Sequence, residues 1–359
     1  MDTQDPMTGN PSAARPLVTV VAPTYNEERY IEQFAACMAA QDFPGRDFEV
    51  LIVDGGSGDR TREMVRAIVA RDPRFRLVDN PGRFQPQARN VGVRNACGEY
   101  ILMADVHAEY PPDYIRASVE AVKQTGAWLV GPILTTAPGA ATRVARAIAI
   151  VQSHRFGVGN SEFRIGKEAR EVDTVAFGCI RRATFEKVGL YHELLPRHED
   201  NEMHGRLRRA GGKIMVTPAI RATYYARPTV RLLLAQAWAS GFETAMAKVA
   251  DPAGTSLRHW IPAAFVASLI VLGAAAPLAP YAGWLLALDA GMYLLALMAA
   301  TLHVGLTRSG WMMPWVAPIF AAYHLTYGLG TLAGIFRLPG QYARLKAYRH
   351  PVLGEEKIP

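Results

Sequence analysis

The chain has 359 residues, half of them apolar, and carries a formal net charge of +7. Its length exceeds that of one small domain and predicts about two domains. Between Trp260 and Phe336 the only charged residues are Asp289 and Arg308, whereas the preceding part of the chain carries most of the charge. This composition argues against a uniformly soluble protein and predicts a soluble domain followed by a membrane-associated region.

The basic excess is compatible with nucleic acid, anionic lipid or an anionic substrate as a partner. From Met203 to Arg231 the chain has seven basic residues and no acidic residue, directly ahead of the apolar region. We therefore expect a basic belt beside the membrane that contacts anionic headgroups or a diphosphate ligand. No nucleic-acid partner is expected.

The cysteines and the amino terminus indicate the cellular compartment. Cys37, Cys97 and Cys179 are far apart, odd in number and form no CxxC pair, which is typical of a reducing compartment. Residues 1–16 are polar, contain proline and glycine, and lack the apolar segment of a signal peptide, so we expect a disordered leader. The amino-terminal domain should therefore stay in the cytoplasm.

Strands and helices alternate along the first hundred residues of the soluble region. Apolar, β-branched runs predict four strands, and the segments between them show helical spacing of apolar residues or helix-capping residues. This order predicts an α/β fold with a mostly parallel sheet and right-handed crossovers. The predicted strands are residues 17–23, 48–54, 74–80 and 100–106.

The remainder of the soluble region shows weaker signals. Residues 127–134 and 172–178 are predicted to be strands, and the polar residues 153–171 are predicted to form a long surface loop. Residues 199–212 begin with acidic side chains and end at a Gly-Gly pair, which predicts a helix.

The apolar region contains three candidate membrane spans, residues 262–279, 281–303 and 313–336. Each approaches the roughly 20 residues that cross a bilayer core. The first is short and interrupted by prolines, so a re-entrant segment is an alternative to a crossing. Ahead of these spans, residues 227–250 are less apolar and are predicted to form an amphipathic helix on the membrane surface. The expected units are a catalytic domain at 17–225, a juxtamembrane segment at 226–259, a transmembrane region at 260–336 and a basic tail at 337–359.

The topology predicted from the sequence contains a conflict. We expect a multi-pass protein of the inner (plasma) membrane with its first domain in the cytoplasm. Three full crossings would place the basic tail, with Arg337, Arg344, Lys346 and Arg349, on the opposite side. The positive-inside tendency opposes this arrangement, so either one segment does not cross or the tendency fails here.

Potential ligands follow the predicted strands at their carboxyl ends. Asp54 ends the second strand, and Asp105 and His107 end the fourth. In an open parallel sheet, ligands bind beyond these ends. A carboxylate and an imidazole two residues apart suit a divalent ion such as Mn²⁺. From spacing alone, a capping aspartate beside an incidental histidine is an equal alternative.

Four ordered motifs resemble those of inverting GT-A glycosyltransferases of family 2, and in particular the bacterial succinoglycan-type exopolysaccharide glycosyltransferases. They are "VTVVAPTYNEERY…LIVDGGSGDRT", "ARNVGVRNACGEYILMADVHAEYPPDY", "FGCIRRATFEKVGLYHE" and "HEDNEMHGRLRRAGGKI". Together they span about residues 17–220. The resemblance implies a GT-A nucleotide-diphospho-sugar transferase fold and an enzyme of the hexosyltransferase type.

The resemblance also assigns roles to residues of the first half of the chain. Asp54 would accept a hydrogen bond from the uracil edge, and Arg89 would lie near the diphosphate. Asp105 and His107 would occupy the Asp-X-Asp motif and hold Mn²⁺ or Mg²⁺ against the phosphates. Most relatives have aspartate in place of His107, but a D-X-H version is similar to that of the polypeptide GalNAc-transferases. The residues bordering the base and ribose would be Pro23, Tyr25 and Glu27.

In the second half, the family pattern places the catalytic base at Asp200. Glu199 lies beside it, and two adjacent carboxylates can raise each other's pKa, which would suit a base near neutral pH. The ordinary alternative is an acidic helix amino terminus favoured by the helix dipole. His198 and His204 are expected to be structural or solvent-facing, although either could complete the metal shell.

The expected function is transfer of one sugar from a nucleotide donor, such as a UDP-hexose, to a lipid-linked saccharide during exopolysaccharide or cell-surface glycan synthesis. Processive synthases would show Gln-X-X-Arg-Trp near Gln236, but "QAWAS" lacks the arginine and the spacing. One alternative is a polyprenyl-phosphate hexose synthase, which glycosylates the lipid phosphate itself. A more distant one is a non-catalytic membrane transporter or scaffold, which the scarcity of charge within the spans disfavours.

Overall fold

The computed structural model describes residues 16–44, 47–308 and 310–353. The leader predicted at residues 1–16 falls outside these residues except for Pro16, and so does the end of the predicted tail.

A single nine-stranded sheet forms the centre of the first domain. Its strands are β1 Val18–Thr24, β2 Phe48–Asp54, β3 Phe75–Asp79, β4 Tyr100–Met103, β5 Ala108–Glu109, β6 Leu129–Ala137, β7 Arg170–Glu171, β8 Cys179–Arg181 and β9 Ile214–Tyr225. The order is β3-β2-β1-β4-β8-β6-β9-β5, with β7 beside β9. Strands β3, β2, β1 and β4 are parallel, whereas β8 runs antiparallel to both of its neighbours. The predicted mostly parallel α/β sheet is confirmed.

Helices cover both faces of this sheet and continue beyond it. Those of the first domain are α1 Ile31–Ala39, α2 Thr61–Arg71, α3 Gln85–Asn95, α4 Tyr114–Thr125, α5 Arg143–Val151, α6 Arg155–Val158, α7 Glu162–Ile165, α8 Arg182–Val188 and α9 Glu199–Arg209. Those that follow are α10 Val230–Ala250, α11 Ile261–Ala275, α12 Pro280–Thr307, α13 Met313–Arg337 and α14 Tyr342–Lys346.

The side-chain alternation of a buried strand divides the core into two layers. In β1, Val20 packs into the cluster that includes Phe34 of α1. Its neighbour Val21 packs into the opposite cluster, with Val93 of α3 and Leu207 of α9. Because successive side chains of a strand point to opposite faces, an uninterrupted apolar run such as that of β1 fits a strand covered on both sides.

The structure corrects two predicted elements between β6 and α8. Residues 172–178 do not form a strand; the strand begins at Cys179. Phe177 has a φ of 52°, in the left-handed region that interrupts extended backbone. Residues 153–171 are not a plain surface loop, because they contain α6 and α7, and Phe156 packs against Phe320 and His324 of α13. Strand β9 had no sequence prediction.

The basic residues between Met203 and Arg231 do not form one belt beside the membrane, and contact with a diphosphate stays a prediction for Arg227. Arg206 is buried and pairs with Glu202 of the same helix at 2.7 Å. Arg209 pairs with Asp251, just beyond α10. Arg227 lines the main cavity of the catalytic domain. The basic residues that follow one another in this segment therefore point to different partners and do not form one surface.

Three helical segments are long and apolar enough to cross a membrane: Leu257–Ala275, Pro280–Thr307 and Gly310–Gly340. They agree with the three apolar spans predicted from the sequence. The segment 227–250, which the sequence predicts to be an amphipathic helix, forms α10. Small residues such as Ala237 and Gly241 lie on its buried face against α13, and Leu232 and Trp238 are exposed on the other face.

Candidate active site

A cavity of about 620 Å³ lies at the carboxyl ends of the parallel strands. This is the place where the loops after neighbouring strands converge and where ligands bind in open α/β sheets. Seven of the eight predicted site residues line it: Pro23, Tyr25, Glu27, Arg89, Asp105, His107 and Asp200. The structure thus brings together side chains that are up to 177 positions apart in the sequence (200 − 23).

Asp54 is the predicted site residue that does not line the cavity. Its carboxylate is buried and accepts hydrogen bonds from the Ser57 hydroxyl at 2.5 Å and the Gly56 N–H at 3.0 Å. Arg62 pairs with it at 2.6 Å. In this structure Asp54 fixes the loop after β2, and its role toward a uracil edge stays a prediction.

The loop that carries Asp105 and His107 is held by Tyr110. The Asp105 N–H donates to the Tyr110 hydroxyl oxygen at 2.8 Å, and that hydroxyl donates to the Asp105 carbonyl at 3.1 Å. Tyr110 is itself buried against Phe34. Strand β4 ends at Met103, earlier than the predicted residue 106, because the chain enters this turn.

Glu27 contacts His107 directly, with 3.2 Å between the Glu27 Oε1 and the His107 Nδ1. Burial opposes a charge on the imidazole, but the hydrogen bond that the imidazole donates to Glu27 and the charge of Asp105 outweigh it, so the pKa of His107 is raised. With Nδ1 facing Glu27, the other ring nitrogen is left for a ligand. The resemblance assigns Glu27 to the base and ribose; in the structure its carboxylate contacts His107, the predicted metal ligand.

Arg89, Glu199 and Asp200 form a buried charged group. Arg89 pairs with Glu199 at 3.1 Å, and its guanidinium lies 5.2 Å from the centroid of the Tyr191 ring. Burial raises the pKa of Glu199 to about 7; Arg89 opposes this shift and the charge of Asp200 adds to it. For Asp200 burial acts in the same direction, but Arg89 and His204 outweigh it and lower the pKa. Of the two neighbouring carboxylates, Glu199 has a raised pKa, whereas the pKa of the predicted base, Asp200, is lowered.

The two histidines considered as further metal ligands have other partners. The His198 Nε2 lies 2.9 Å from the Ser240 carbonyl, and the Asn201 amide lies 2.7 Å from its Nδ1. His204 contacts the Thr174 hydroxyl at 2.9 Å, and burial lowers its pKa to about 4. Within residues 16–44, 47–308 and 310–353 no group of three histidine, cysteine, aspartate or glutamate side chains is arranged to hold a metal.

Strained backbone surrounds the cavity. Arg83, Phe177 and His198 are non-glycine residues with positive φ, at 67°, 52° and 62°, and all three line the cavity. Such conformations cost of order 1–3 kcal/mol each and persist where the surrounding structure imposes them, which is common at functional sites.

Sequence reasoning gave no site role to two arginines of the cavity wall, Arg164 and Arg197, and placed a third, Arg227, in the basic belt. Arg164 lies over the Tyr224 ring at 4.9 Å, and its Nη1 is buried without a hydrogen-bond partner among the described residues. Arg197 directly precedes the "HED" motif, which was the one local signal available. Arg164 lies in the segment predicted to be a surface loop, and Arg227 lies in the predicted basic belt. The folded chain brings both of them to the cavity, which the local sequence does not indicate.

A second cavity, of about 720 Å³, meets the first at Asp200, Asn201 and Gln236. Its far wall is largely apolar and comes from α11 to α13, with Ile261, Pro262, Phe265, Tyr293 and Tyr323. Three lining side chains hold a buried polar atom without a hydrogen-bond partner in the described part of the chain: Gln152, Arg164 and Gln236. The arrangement combines an apolar wall with unsatisfied polar groups close to Asp200.

The family model described as glycosyl transferase family 2 matches residues 19–189. The chain is also 30% identical to the succinoglycan biosynthesis protein ExoA of Rhizobium meliloti (strain 1021), over 87% of this chain and 92% of that protein. The chain belongs to glycosyltransferase family 2. The motifs that carried the resemblance therefore identify the family correctly.

Two further comparisons place this family 2 glycosyltransferase among known proteins. It is 29% identical to the undecaprenyl-phosphate 4-deoxy-4-formamido-L-arabinose transferase of Pseudomonas aeruginosa (strain LESB58), over 47% of this chain and 52% of that protein. Its fold is similar to that of the mannosyltransferase PcManGT from Pyrobaculum calidifontis, solved in complex with GDP-Man and Mn2+. That similarity has a TM-score of 0.59 at 20% identity and covers 89% of this chain and 88% of the other. The glycosyltransferase is an enzyme of the GT-A fold.

Proposed function

We propose that this enzyme transfers one sugar from a nucleotide-sugar donor, a UDP-hexose, to a lipid-linked saccharide in exopolysaccharide or cell-surface glycan synthesis. The observation that carries the proposal is the junction of the two cavities at Asp200. One cavity has the polar lining expected for a donor, and the other leads from that carboxylate to the apolar helices. An amphiphilic acceptor would place its sugar at Asp200 and its lipid along α11 to α13.

Asp200 is the proposed general base. It lines both cavities, whereas Glu199 lines the donor cavity alone. Its lowered pKa keeps the carboxylate ionised at neutral pH, ready to accept the proton of an acceptor hydroxyl as that oxygen attacks the anomeric carbon. Attack from this side, opposite the leaving nucleotide, inverts the anomeric configuration.

The leaving diphosphate needs positive charge around it. Arg164, Arg197 and Arg227 line the donor cavity and are candidates to bind its phosphates, because guanidinium groups match phosphate oxygens in charge and geometry. Arg89 was predicted for this role, but its charge already faces Glu199 at 3.1 Å. We propose that Arg89 mainly holds the two carboxylates of the "HED" motif in position.

The residues present fit a divalent ion, Mn²⁺ or Mg²⁺. Asp105 supplies oxygen, His107 supplies the ring nitrogen that does not face Glu27, and Glu27 would fix the orientation of that ring. Two protein ligands leave positions for phosphate oxygens and water. When bound, the ion would act as a Lewis acid that stabilises charge on the departing diphosphate.

We propose that the enzyme works at the cytoplasmic face of the inner membrane. Support comes from the three apolar helical segments and from free cysteines at Cys37, Cys97 and Cys179, as expected in a reducing compartment.

A second candidate is a polyprenyl-phosphate hexose synthase. The relative that acts on undecaprenyl phosphate favours it, as does the unpaired Nη1 of Arg164 in both cavities, which suits a lipid phosphate. A lipid phosphate is already ionised and needs no general base. The presence of Asp200 at the cavity junction therefore favours a hydroxyl acceptor.

The test is sugar transfer by the purified full-length protein in detergent. UDP-glucose, UDP-galactose, UDP-GlcNAc and GDP-mannose would be supplied with a polyprenyl-diphosphate saccharide or with polyprenyl phosphate, each with and without Mn²⁺. Metal-dependent transfer of one UDP-sugar to the saccharide, lost in Asp105→Ala, supports the proposal. Transfer to polyprenyl phosphate alone would establish the second candidate, and consumption of GDP-mannose alone would overturn the UDP assignment.

A further inference from the structure

Helix α13 touches the catalytic domain near both of its ends. Near its start, Val316 and Phe320 pack with Ile148 of α5. Beyond its end, Leu338 and Leu345 join a cluster with Leu195 of the catalytic domain. The helix has 25 residues, which at 1.5 Å per residue is about 37 Å. A helix that crossed a bilayer would carry one end away from the domain by the membrane thickness, so α13 lies along the domain instead.

Helix α10 runs beside α13 in the same direction. A Cβ on Gly330 would lie 2.5 Å from the Trp238 carbonyl oxygen, and one on Gly334 would lie 2.2 Å from the Phe242 carbonyl oxygen. Such approaches require glycine and keep the two backbones in contact along their length. Helix α10 also contacts the catalytic domain. The His198 ring lies within hydrogen-bond distance of the Ser240 carbonyl, and Asp251 forms an ion pair with Arg209.

The segment after residue 337 returns to the catalytic domain. The Tyr348 ring stacks on His192 with 3.8 Å between the ring centroids. The Leu190 N–H donates to the Pro351 carbonyl at 2.8 Å. The carboxyl-terminal segment therefore lies on the same side of any membrane as the catalytic domain, and the number of complete crossings between residues 225 and 342 must be even.

The remaining apolar helices, α11 and α12, form a hairpin that projects from this body. The Ser268 hydroxyl donates to the Asp289 carboxylate at 2.6 Å, which joins the two helices. Leu278 and Trp284, near the tip, are 87% and 79% exposed. Helix α11 has 15 residues and spans about 22 Å. That length is shorter than the roughly 30 Å hydrocarbon core of a bilayer. Helix α12 is longer, with 28 residues, but its last part packs on the body, where Ala300 and Val304 lie in one cluster with Phe320 of α13.

The turn at the tip of the hairpin, residues 276–280, leaves no backbone N–H without an acceptor. Ala276 donates to Leu272, and Leu278 and Ala279 both donate to Ala275. The other two residues of the turn are prolines, which have no N–H. From residue 269 to residue 288 no side chain is charged. Unsatisfied backbone groups cost several kcal/mol each in hydrocarbon, so the pairing of these N–H groups favours a turn placed there.

We propose that the α11–α12 hairpin enters the bilayer from the face on which the catalytic domain lies and returns without emerging on the other side, while α10 and α13 lie along the membrane surface. The partner of the exposed hairpin is the hydrocarbon of one lipid bilayer. Residues at the outer faces of α10 and α13, such as Trp238 and Trp315, then lie at the headgroup level, where tryptophan is enriched.

This arrangement resolves the conflict over the tail. Arg344, Lys346 and Arg349 are exposed beyond α13, and Arg337 is in its last turn. With a re-entrant hairpin these basic residues stay on the cytoplasmic side, where they meet anionic headgroups and obey the positive-inside tendency. The inference stands on the packing of the helices and does not depend on which sugar the enzyme transfers.

The test is labelling with a membrane-impermeant maleimide in right-side-out spheroplasts and in inside-out vesicles. The background chain carries Cys37→Ala and Cys97→Ser and retains Cys179, which is buried and becomes reactive if a variant unfolds. Leu278→Cys places the probe at the tip and Arg349→Cys places it in the tail. A chain that retains Cys97 marks the side of the catalytic domain.

The proposal expects Arg349→Cys to react from the same side as Cys97. Leu278→Cys should react at least about tenfold less than Arg349→Cys from either side, and fully once detergent removes the bilayer that shields it. Reaction of Leu278→Cys from the far side would show a complete crossing and overturn the proposal. Its reaction from the catalytic side would show that the hairpin is not inserted. Reaction of Arg349→Cys from the far side would establish an odd number of crossings.

Discussion

Two neighbouring carboxylates permit a matched test of the proposed base. Asp200→Asn and Glu199→Gln are the same chemical change, one residue apart, at the start of α9. Only Asp200 reaches the cavity that would hold the acceptor. We therefore expect Asp200→Asn to reduce kcat by the full contribution of a general base and Glu199→Gln to reduce it much less.

The magnitude follows from the role of each group. A positioned base contributes about 10²–10⁴-fold, which corresponds to about 2.7–5.4 kcal/mol of transition-state stabilisation. In Glu199→Gln the amide can still contact Arg89, and Asp200 continues to balance the guanidinium charge. We expect the loss of rate in that variant to stay within about tenfold.

The pH profile separates the two carboxylates further. Because the pKa of Glu199 is about 7, its charge appears as the pH rises through neutrality and makes the adjacent Asp200 a stronger base. Wild-type kcat should therefore rise through about pH 7, and Glu199→Gln should lack this step.

The assay is steady-state transfer between pH 5.5 and 8.5, with binding of UDP measured separately. UDP binding should change little in Asp200→Asn, because the asparagine keeps the size of the side chain and Arg89 keeps Glu199 as its ion-pair partner. The reasoning fails if Asp200→Asn keeps kcat within tenfold of wild type, or if Glu199→Gln loses as much rate as Asp200→Asn.

Three further outcomes are expected. Arg206→Met removes the guanidinium that pairs with the buried Glu202 and leaves it only the contact with His350 at 3.3 Å, so it should lower the free energy of unfolding by about 3–5 kcal/mol, seen as a lower Tm; an unchanged Tm would show that His350 is a sufficient partner. Glu27→Gln should weaken Mn²⁺ binding to the purified protein by about 10–100-fold through loss of the contact that orients His107, measured by Mn²⁺ titration; unaltered affinity would contradict the fit of the metal site. The pKa of Glu199 is higher in the folded state than in the unfolded state, so the stability that this group contributes is complete below about pH 4.5 and is lost as the pH rises through about 7. The Tm of the wild type should therefore fall between about pH 4.5 and 7, and the Tm of Glu199→Gln should fall less over the same range.

The sequence determined the features that depend on local pattern. Strands β1 and β2 were readable because buried parallel strands are uninterrupted apolar runs, and β2 was placed without error at Phe48–Asp54. Asp105 and His107 were found because the carboxyl end of a parallel strand fixes where a site must lie. The strand predicted at residues 172–178 is absent, and the left-handed φ of Phe177, which an apolar pattern does not reveal, interrupts the segment just before β8.

Tertiary structure decided which charges serve the site and which way the apolar helices run. Arg164 and Arg227 belong to the cavity through contacts between distant segments, and Arg206 is buried for the same reason. Apolar composition marks the segments that contain α11, α12 and α13 all as candidate membrane spans. What separates α13 from α11 and α12 is its packing: its glycines contact α10, and the chain after it returns to His192. Hydropathy cannot show this, because it measures how strongly a helix avoids water and not what the helix packs against.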